Sequence, residues 1–129
     1  MERHAVEQLI WRWLNEGIRQ GNVAVFDELL AKDVCDLSGG GQAFGSETFK
    51  LRARAVHAAF ADIEVAVDEL LIDGARIAWR WSLSGTQIGA FAGIAATERR
   101  VTLRGVNFQR VEGDRVIEHW TLADLSGLR

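Results

Sequence analysis

The spacing of apolar residues changes about half-way along the chain. From Glu2 to about Gln20, Val6, Leu9, Ile10, Trp13, Leu14 and Ile18 recur at helical intervals, which gathers them into one buried stripe. Gly21-Asn22 interrupts the pattern, and Asn22 is an N-cap candidate for a short helix bearing Val25, Phe26, Leu29 and Leu30. Val34 to Leu37 reads as a short strand, and Ser38-Gly39-Gly40-Gly41 as a loop. Ser46 is placed to cap a third helix reaching about Phe60, with Phe49, Ala53, Val56 and Phe60 on its buried side. Beyond it the period falls to two. Glu64 to Ile72 and Ala75 to Ser84 flank Asp73-Gly74, a strong hairpin signal. Gly85 to Arg100 reads as a long glycine-bearing loop. Val101 to Val111 and Arg115 to Leu125 form two more strands around Glu112-Gly113-Asp114. Helices first and strands last predict a segregated α+β fold rather than alternating βαβ units.

The last hairpin carries the densest candidate chemistry. With Gly113-Asp114 at its tip, Val111 pairs with Val116, Gln109 with Glu118, Asn107 with Trp120 and Leu103 with Asp124. Side chains alternate along strands, so Leu103, Asn107, Gln109, Glu118, Trp120, Leu122 and Asp124 share one face in this register. A one-residue slip would break the set. An apolar wall with a few convergent polar groups is what a ligand pocket requires. Desolvation there predicts a raised pKa for Asp124. Each residue also has a structural reading. Asp124 could be a strand-end residue held by a backbone amide or an arginine, Trp120 a core residue, Asn107 and Gln109 partners of buried backbone, and Glu118 a solvated charge. His119 falls on the opposite face from Asp124 in this register. Trp79 and Trp81 share a face, either pocket or interface. Phe91 and Ile94 in the long loop are placed to close over an apolar ligand and form one wall of a cavity. His57 lies beside the buried stripe of the third helix, with a place at the pocket rim as its functional reading.

Composition narrows the partners. The 129 residues amount to one domain, 1–129, and 48% hydrophobic residues supply a core. A net charge of −3 with no basic run argues against nucleic acid. Lys50, Arg52 and Arg54 read as a solvated helix face. The lone Cys35 leaves no internal disulfide, fits a reducing cytoplasm and reads as a small buried hydrophobe more readily than as a nucleophile. Met1-Glu2-Arg3-His4 runs straight into the amphipathic stripe, unlike a signal peptide, and no apolar run has the roughly 18 residues of a membrane span. The three histidines lack metal-ligand spacing, so no metal is expected. The chain has neither proline nor tyrosine.

Several stretches, in order, resemble the SnoaL-like polyketide cyclases and ester cyclases of the NTF2-like superfamily. They are Trp13-Leu14-Asn15-Glu16-Gly17, Phe26 to Val34, Phe60 to Val65, and Ile77-Ala78-Trp79-Arg80-Trp81 running into Gly85 to Ile94. The fullest is Phe108 to Trp120, followed by Asp124 and Leu128. The resemblance covers nearly the whole chain. It implies a cystatin-like, cone-shaped α+β barrel, with three N-terminal helices on a curved, mainly antiparallel sheet around an apolar pocket. It also implies an acid/base at Asp124, with Asn107 and Gln109 donating to an enolate oxygen and Trp120, Leu103 and Phe91 contacting substrate. The reaction implied is a cofactor-independent aldol cyclisation of an apolar or polyketide-like molecule. Two positions depart from the family pattern, Leu37 where a histidine is usual and Gln87-Ile88-Gly89 where His-Thr-Gly is usual. The missing tyrosines argue against ketosteroid isomerase and scytalone dehydratase chemistry. Arg104-Gly105-Val106 lacks the acid of the epoxide hydrolases of this fold. Three functions follow as alternatives: a cyclase-type lyase or isomerase, a non-catalytic small-molecule-binding domain, and an interaction module. A homodimer is expected through the other face of the hairpin, carrying Val106, Phe108, Ile117 and His119.

Overall fold

The computed structural model describes residues 1–129. Helix α1 spans Arg3–Arg12 and continues into a π-helical segment, Trp13–Arg19. The wider π turn brings Trp13, Leu14 and Ile18 to the sheet side. Within it, a Cβ on Gly17 would overlap the ring of Phe26, so the close approach of the next helix requires glycine. Helix α2 is Val25–Leu29, strand β1 Leu30–Asp36, β2 Ala43–Phe44, and helix α3 Glu47–Ala59. Strands β3 (Phe60–Asp73), β4 (Arg76–Gln87), β5 (Arg100–Glu112) and β6 (Arg115–Asp124) follow. No helix is long and apolar enough to cross a membrane.

The six strands form one sheet in the order β2-β1-β6-β5-β4-β3. All neighbours are antiparallel except β1 and β6, which run parallel. The helices cover one face of this curved mixed sheet. The main core joins Val6, Ile10, Trp13 and Phe26 from the helical layer to Ile77, Trp79, Val111 and Val116 from the sheet. A smaller core holds Ala59, Phe60, Val101, Leu103 and Leu128 at the other end. The architecture is the α+β, NTF2-like arrangement that the sequence implied.

Local signals differ from expectation at three ends. Asn22 makes no side-chain cap, and α2 starts after Ala24. The Ser46 hydroxyl bonds to Asp27 Oδ1 at 3.3 Å rather than capping α3. Strand β4 runs on to Gln87, so the loop is shorter than the glycines suggested and lies between Gln87 and Arg100.

The decisive departure lies in the last hairpin. Val111 does pair with Val116, but Arg110 pairs with Glu118, because Ile117 is an extra residue that forms a β-bulge. From there Gln109 faces His119, Phe108 faces Trp120, Asn107 faces Thr121 and Arg104 faces Asp124. The slip inverts every side chain of β6 beyond the bulge. His119, Thr121 and Ala123 turn toward the helices, and Glu118, Trp120, Leu122 and Asp124 turn away.

Candidate functional site

Between the sheet and the helices lies a chamber of about 220 Å³. The π-helical segment contributes Trp13, Leu14 and Ile18, and α3 contributes Phe49, Arg52 and Val56. The sheet contributes Trp79, Trp81 and Leu83 from β4, Leu103 and Asn107 from β5, and His119, Thr121 and Ala123 from β6. Trp79 and Trp81 therefore face the chamber, which resolves the open choice between pocket and interface. Phe91 closes one side from the loop after β4, with its ring 5.3 Å from that of Phe60. Gln87 holds that loop. It is fully buried, donates from Nε2 to the carbonyls of Gly89 and Ile94 at 3.1 Å each, and accepts from the Thr97 amide at 3.2 Å. The departure from the family's glycine-loop pattern thus serves as a structural anchor.

The chamber's polar groups are few and tightly assigned. Trp81 Nε1 donates to Asn107 Oδ1 at 3.1 Å, and the Thr121 hydroxyl donates to the same oxygen at 2.6 Å. Indole nitrogen is donor only, so the Asn107 carbonyl faces Trp81 and its Nδ2 amino group is left as a donor. Trp79 Nε1 donates to Gln109 Oε1 at 3.0 Å, and Gln109 Nε2 lies 2.9 Å from His119 Nδ1. The His119 ring stacks on Trp13, with centroids 5.1 Å apart and planes at 22°, and meets the edge of Phe49 at 5.1 Å. Burial, aided by the positive charge of Arg52 and opposed by Asp36, lowers the His119 pKa to about 3. The imidazole is neutral at ordinary pH. No buried polar side-chain atom lacks a partner, yet His119 Nε2 and Asn107 Nδ2 have none within the protein. Both therefore open onto the chamber.

At its edge, Arg52 Nη2 donates to Asp36 Oδ2 at 2.5 Å while its guanidinium lies 5.1 Å from the Phe49 ring centroid. All three members of the expected solvated face form ion pairs, Lys50 with Asp27, Arg54 with Glu47 and Arg52 with Asp36; Arg52 stays part-exposed, but its partner is buried and it also lines the chamber. Burial raises the Asp36 pKa, but hydrogen bonds from Ser38 and the charge of Arg52 outweigh it and hold the carboxyl below its usual range.

Of the residues singled out from sequence, Asn107, Leu103 and Phe91 line the chamber, and Gln109 lies directly behind its wall. Asp124 and Trp120 require correction. Asp124 is exposed on the outer face, and its Oδ1 accepts from the Ser126 amide at 2.9 Å. That amide, then the Ser126 side chain and the charge of Arg104, lower its pKa, opposite to the rise expected in an apolar surround. Trp120 packs against Phe108 outside the chamber, with centroids 5.6 Å apart. Glu118 also turns outward, paired with Arg110. The bulge at Ile117 is the physical reason in each case, and it removes the geometric basis for an acid/base at Asp124. Sequence reasoning missed His119, Thr121, Arg52 and Asp36. One signal was available for the first two: Val116-Ile117 places two apolar residues together where strict alternation calls for one. His57 bonds the Arg19 carbonyl through Nδ1 at 3.1 Å and ties α3 to the end of the π-helical segment. No group of three or more His, Cys, Asp or Glu side chains converges as a metal site.

The model of the SnoaL-like polyketide cyclase family matches residues 8–129. Among solved structures, TsrD from Streptomyces laurentii is 25% identical with a TM-score of 0.88, over 99% of this chain and 94% of that one. IdmH from Streptomyces antibioticus, named as a candidate polyketide cyclase, is 24% identical with a TM-score of 0.79, over 95% and 94% of the two chains. AclR from Streptomyces galilaeus, named as a candidate hydroxylase, is 21% identical with a TM-score of 0.79, over 97% and 90%. No curated protein sequence matches.

Proposed function

The chain belongs to the SnoaL-like polyketide cyclase family, and from that premise we propose that it is a small-molecule-binding member whose chamber holds an apolar, carbonyl-bearing ring system. One observation carries this reading: the chamber wall contains tryptophans, phenylalanines and leucines, two neutral donors that open onto the chamber, the Arg52 guanidinium at its edge and no carboxylate. Burying apolar rings supplies the affinity, at about 25 cal/mol per Å². Asn107 Nδ2 and His119 Nε2 fix the ligand's oxygen, because a carbonyl left unpaired there would forfeit about 1–3 kcal/mol. The aldol-cyclase mechanism expected at Asp124 lacks its base in this chamber. A second, enzymatic reading is favoured by a specific feature: a neutral imidazole N–H held in an apolar site can stabilise a developing enolate.

The test uses α-tetralone and its deoxygenated analogue tetralin, with chamber tryptophan fluorescence as the readout. The protein is expected to bind the ketone about 10-fold more tightly, as befits one buried hydrogen bond of about 1.4 kcal/mol. His119→Phe and Asn107→Leu should erode that preference. Exchange of the ketone's α-protons in heavy water should run at the buffer rate. Protein-accelerated exchange would replace the binding reading with the enzymatic one. Assembly belongs to the same proposal: a homodimer through the outer sheet face, where Val106 and Phe108 of the expected set lie with Trp120 and Leu122 in place of His119, which faces inward, and Ile117, which is the bulge residue.

A further inference from the structure

The polar atoms that face the chamber are almost all donors, and Trp79 in the wall enforces that polarity through Gln109 behind it. Trp79 Nε1 cannot accept, so it fixes the Gln109 amide with Oε1 toward the indole. Gln109 Nε2 must then point at His119 Nδ1, 2.9 Å away. A donor directed at Nδ1 requires a lone pair there, and a neutral imidazole has only one. The proton is therefore on Nε2, the atom that opens onto the chamber. The same device acts at Asn107, where Trp81 and Thr121 occupy Oδ1 and leave Nδ2 as the donor.

We propose that Trp79, acting through Gln109, is the positioning element that makes the chamber select ligands whose buried oxygen only accepts hydrogen bonds, such as ketones, lactones and esters, over the corresponding alcohols. This rests on the small-molecule reading above and deepens it by naming the ligand class. A hydroxyl still needs an acceptor for its own proton. Apart from a lone pair on Thr121, the wall offers little, since Asn107 Oδ1 already accepts two bonds. The charged groups nearest His119 do not alter this assignment. Asp36 is engaged by Arg52 and by the Ser38 amide, and Arg52 opposes a second positive charge on the ring.

The relay is tested by ¹⁵N NMR of histidine-labelled protein at alkaline pH, alongside the affinity ratio of α-tetralone to α-tetralol. In the wild type, His119 is expected to carry its proton on Nε2, with the ketone bound about 10-fold more tightly than the alcohol. In Gln109→Glu, the ionised carboxylate accepts from both Trp79 and the imidazole. The proton should move to Nδ1, and the ketone preference should fall to about parity or reverse, since Nε2 then accepts. Trp79→Phe, which adds no charge, should release the amide to rotate and give a mixture of tautomers. A wild-type proton on Nδ1 overturns the inference, as does Gln109→Glu leaving the proton on Nε2. If that variant does not fold, the wild-type spectrum and Trp79→Phe still decide, with an unmixed Nε2–H tautomer in Trp79→Phe counting against the relay. The expected tautomers with no binding of either probe would sink the small-molecule reading while leaving the proton assignment standing. Ketone preference with the wrong tautomer would do the reverse.

Discussion

The two faces of the β5–β6 hairpin are built from the same strands yet treat polar groups in opposite ways. On the inner face, Asn107, Gln109, His119 and Thr121 are joined to two indoles, and each bond fixes the direction of the next. On the outer face, Arg110 and Glu118 pair at the surface, Asp124 folds back on its own chain, and Phe108 and Leu122 remain exposed. Which residues fall on which face depends on one bulge residue, Ile117. Inner-face polar groups pay heavily for any lost partner, because burial removes water as a substitute. Outer-face groups retain that substitute. Substitutions and pH should therefore act very unequally on the two sides.

The largest difference is expected in acid. The folded pKa of His119 is lowered to about 3 from 6.5. Between those values the unfolded chain binds a proton that the folded one refuses, so stability falls as pH drops through that window, by about 1.4 kcal/mol per unit. Asp36, with its folded pKa lowered, adds a loss of the same sign only at more acidic pH. His119→Phe should be less stable at neutral pH because Gln109 loses its acceptor, but its stability should be nearly flat from pH about 6 to 4. Urea titrations at a series of pH values check this, and an unchanged slope in the variant would place the titrating group elsewhere.

Next in size is Gly105→Val. A Cβ at this position would overlap Cζ2 and Cε2 of Trp81, which lies across the strand to reach Asn107. Overpacking of this kind costs about 1–3 kcal/mol. The same change should weaken α-tetralone binding, because displacing Trp81 frees the Asn107 amide to turn. Loss of stability without loss of ketone preference would show that Trp81 does not orient Asn107.

Much of this arrangement could be read from the chain. Helical spacing located the Trp13 stripe, alternation located Trp79 and Trp81, and the Gly113 turn gave the correct first pair of the hairpin, Val111 with Val116. Asn107, Leu103 and Phe91 reach the chamber because they lie outside the bulged segment. Asp124, Trp120 and His119 were misplaced because face assignment propagates: one uncounted residue reverses everything after it. Arg52 was hidden for another reason. Helical spacing gives the direction of a side chain, but the buried carboxylate of Asp36 that pairs with this part-exposed arginine comes from the end of β1, a contact the helical pattern does not show.

A smaller effect is expected on the outer face. Leu122→Glu places a charge on an exposed patch, so stability of the isolated chain should change by no more than about 0.5 kcal/mol. Self-association should be lost if the proposed homodimer uses this face. Sedimentation at tens of micromolar (roughly, the usual assay range) reads both species. A monomeric wild type, or a dimer indifferent to the substitution, would remove the outer face from the assembly.

The smallest effect is expected at Asp124, the position the sequence made most prominent. Asp124→Asn keeps an oxygen able to accept from the Ser126 amide, so the turn into the final helical segment is retained. The carboxylate is exposed, and Arg104 acts on it only through solvent-screened attraction. Stability should change by less than about 0.5 kcal/mol, and the α-tetralone preference should be unchanged within error. The contrast with Asn107→Leu is the sharp part of this test, since both positions lie on the same hairpin but on its opposite faces. If Asp124→Asn lowers ligand affinity or abolishes a measured turnover while Asn107→Leu does not, the inner and outer faces have been assigned the wrong way round. The bulge at Ile117 must then be absent in the working protein, and the acid/base mechanism returns with it.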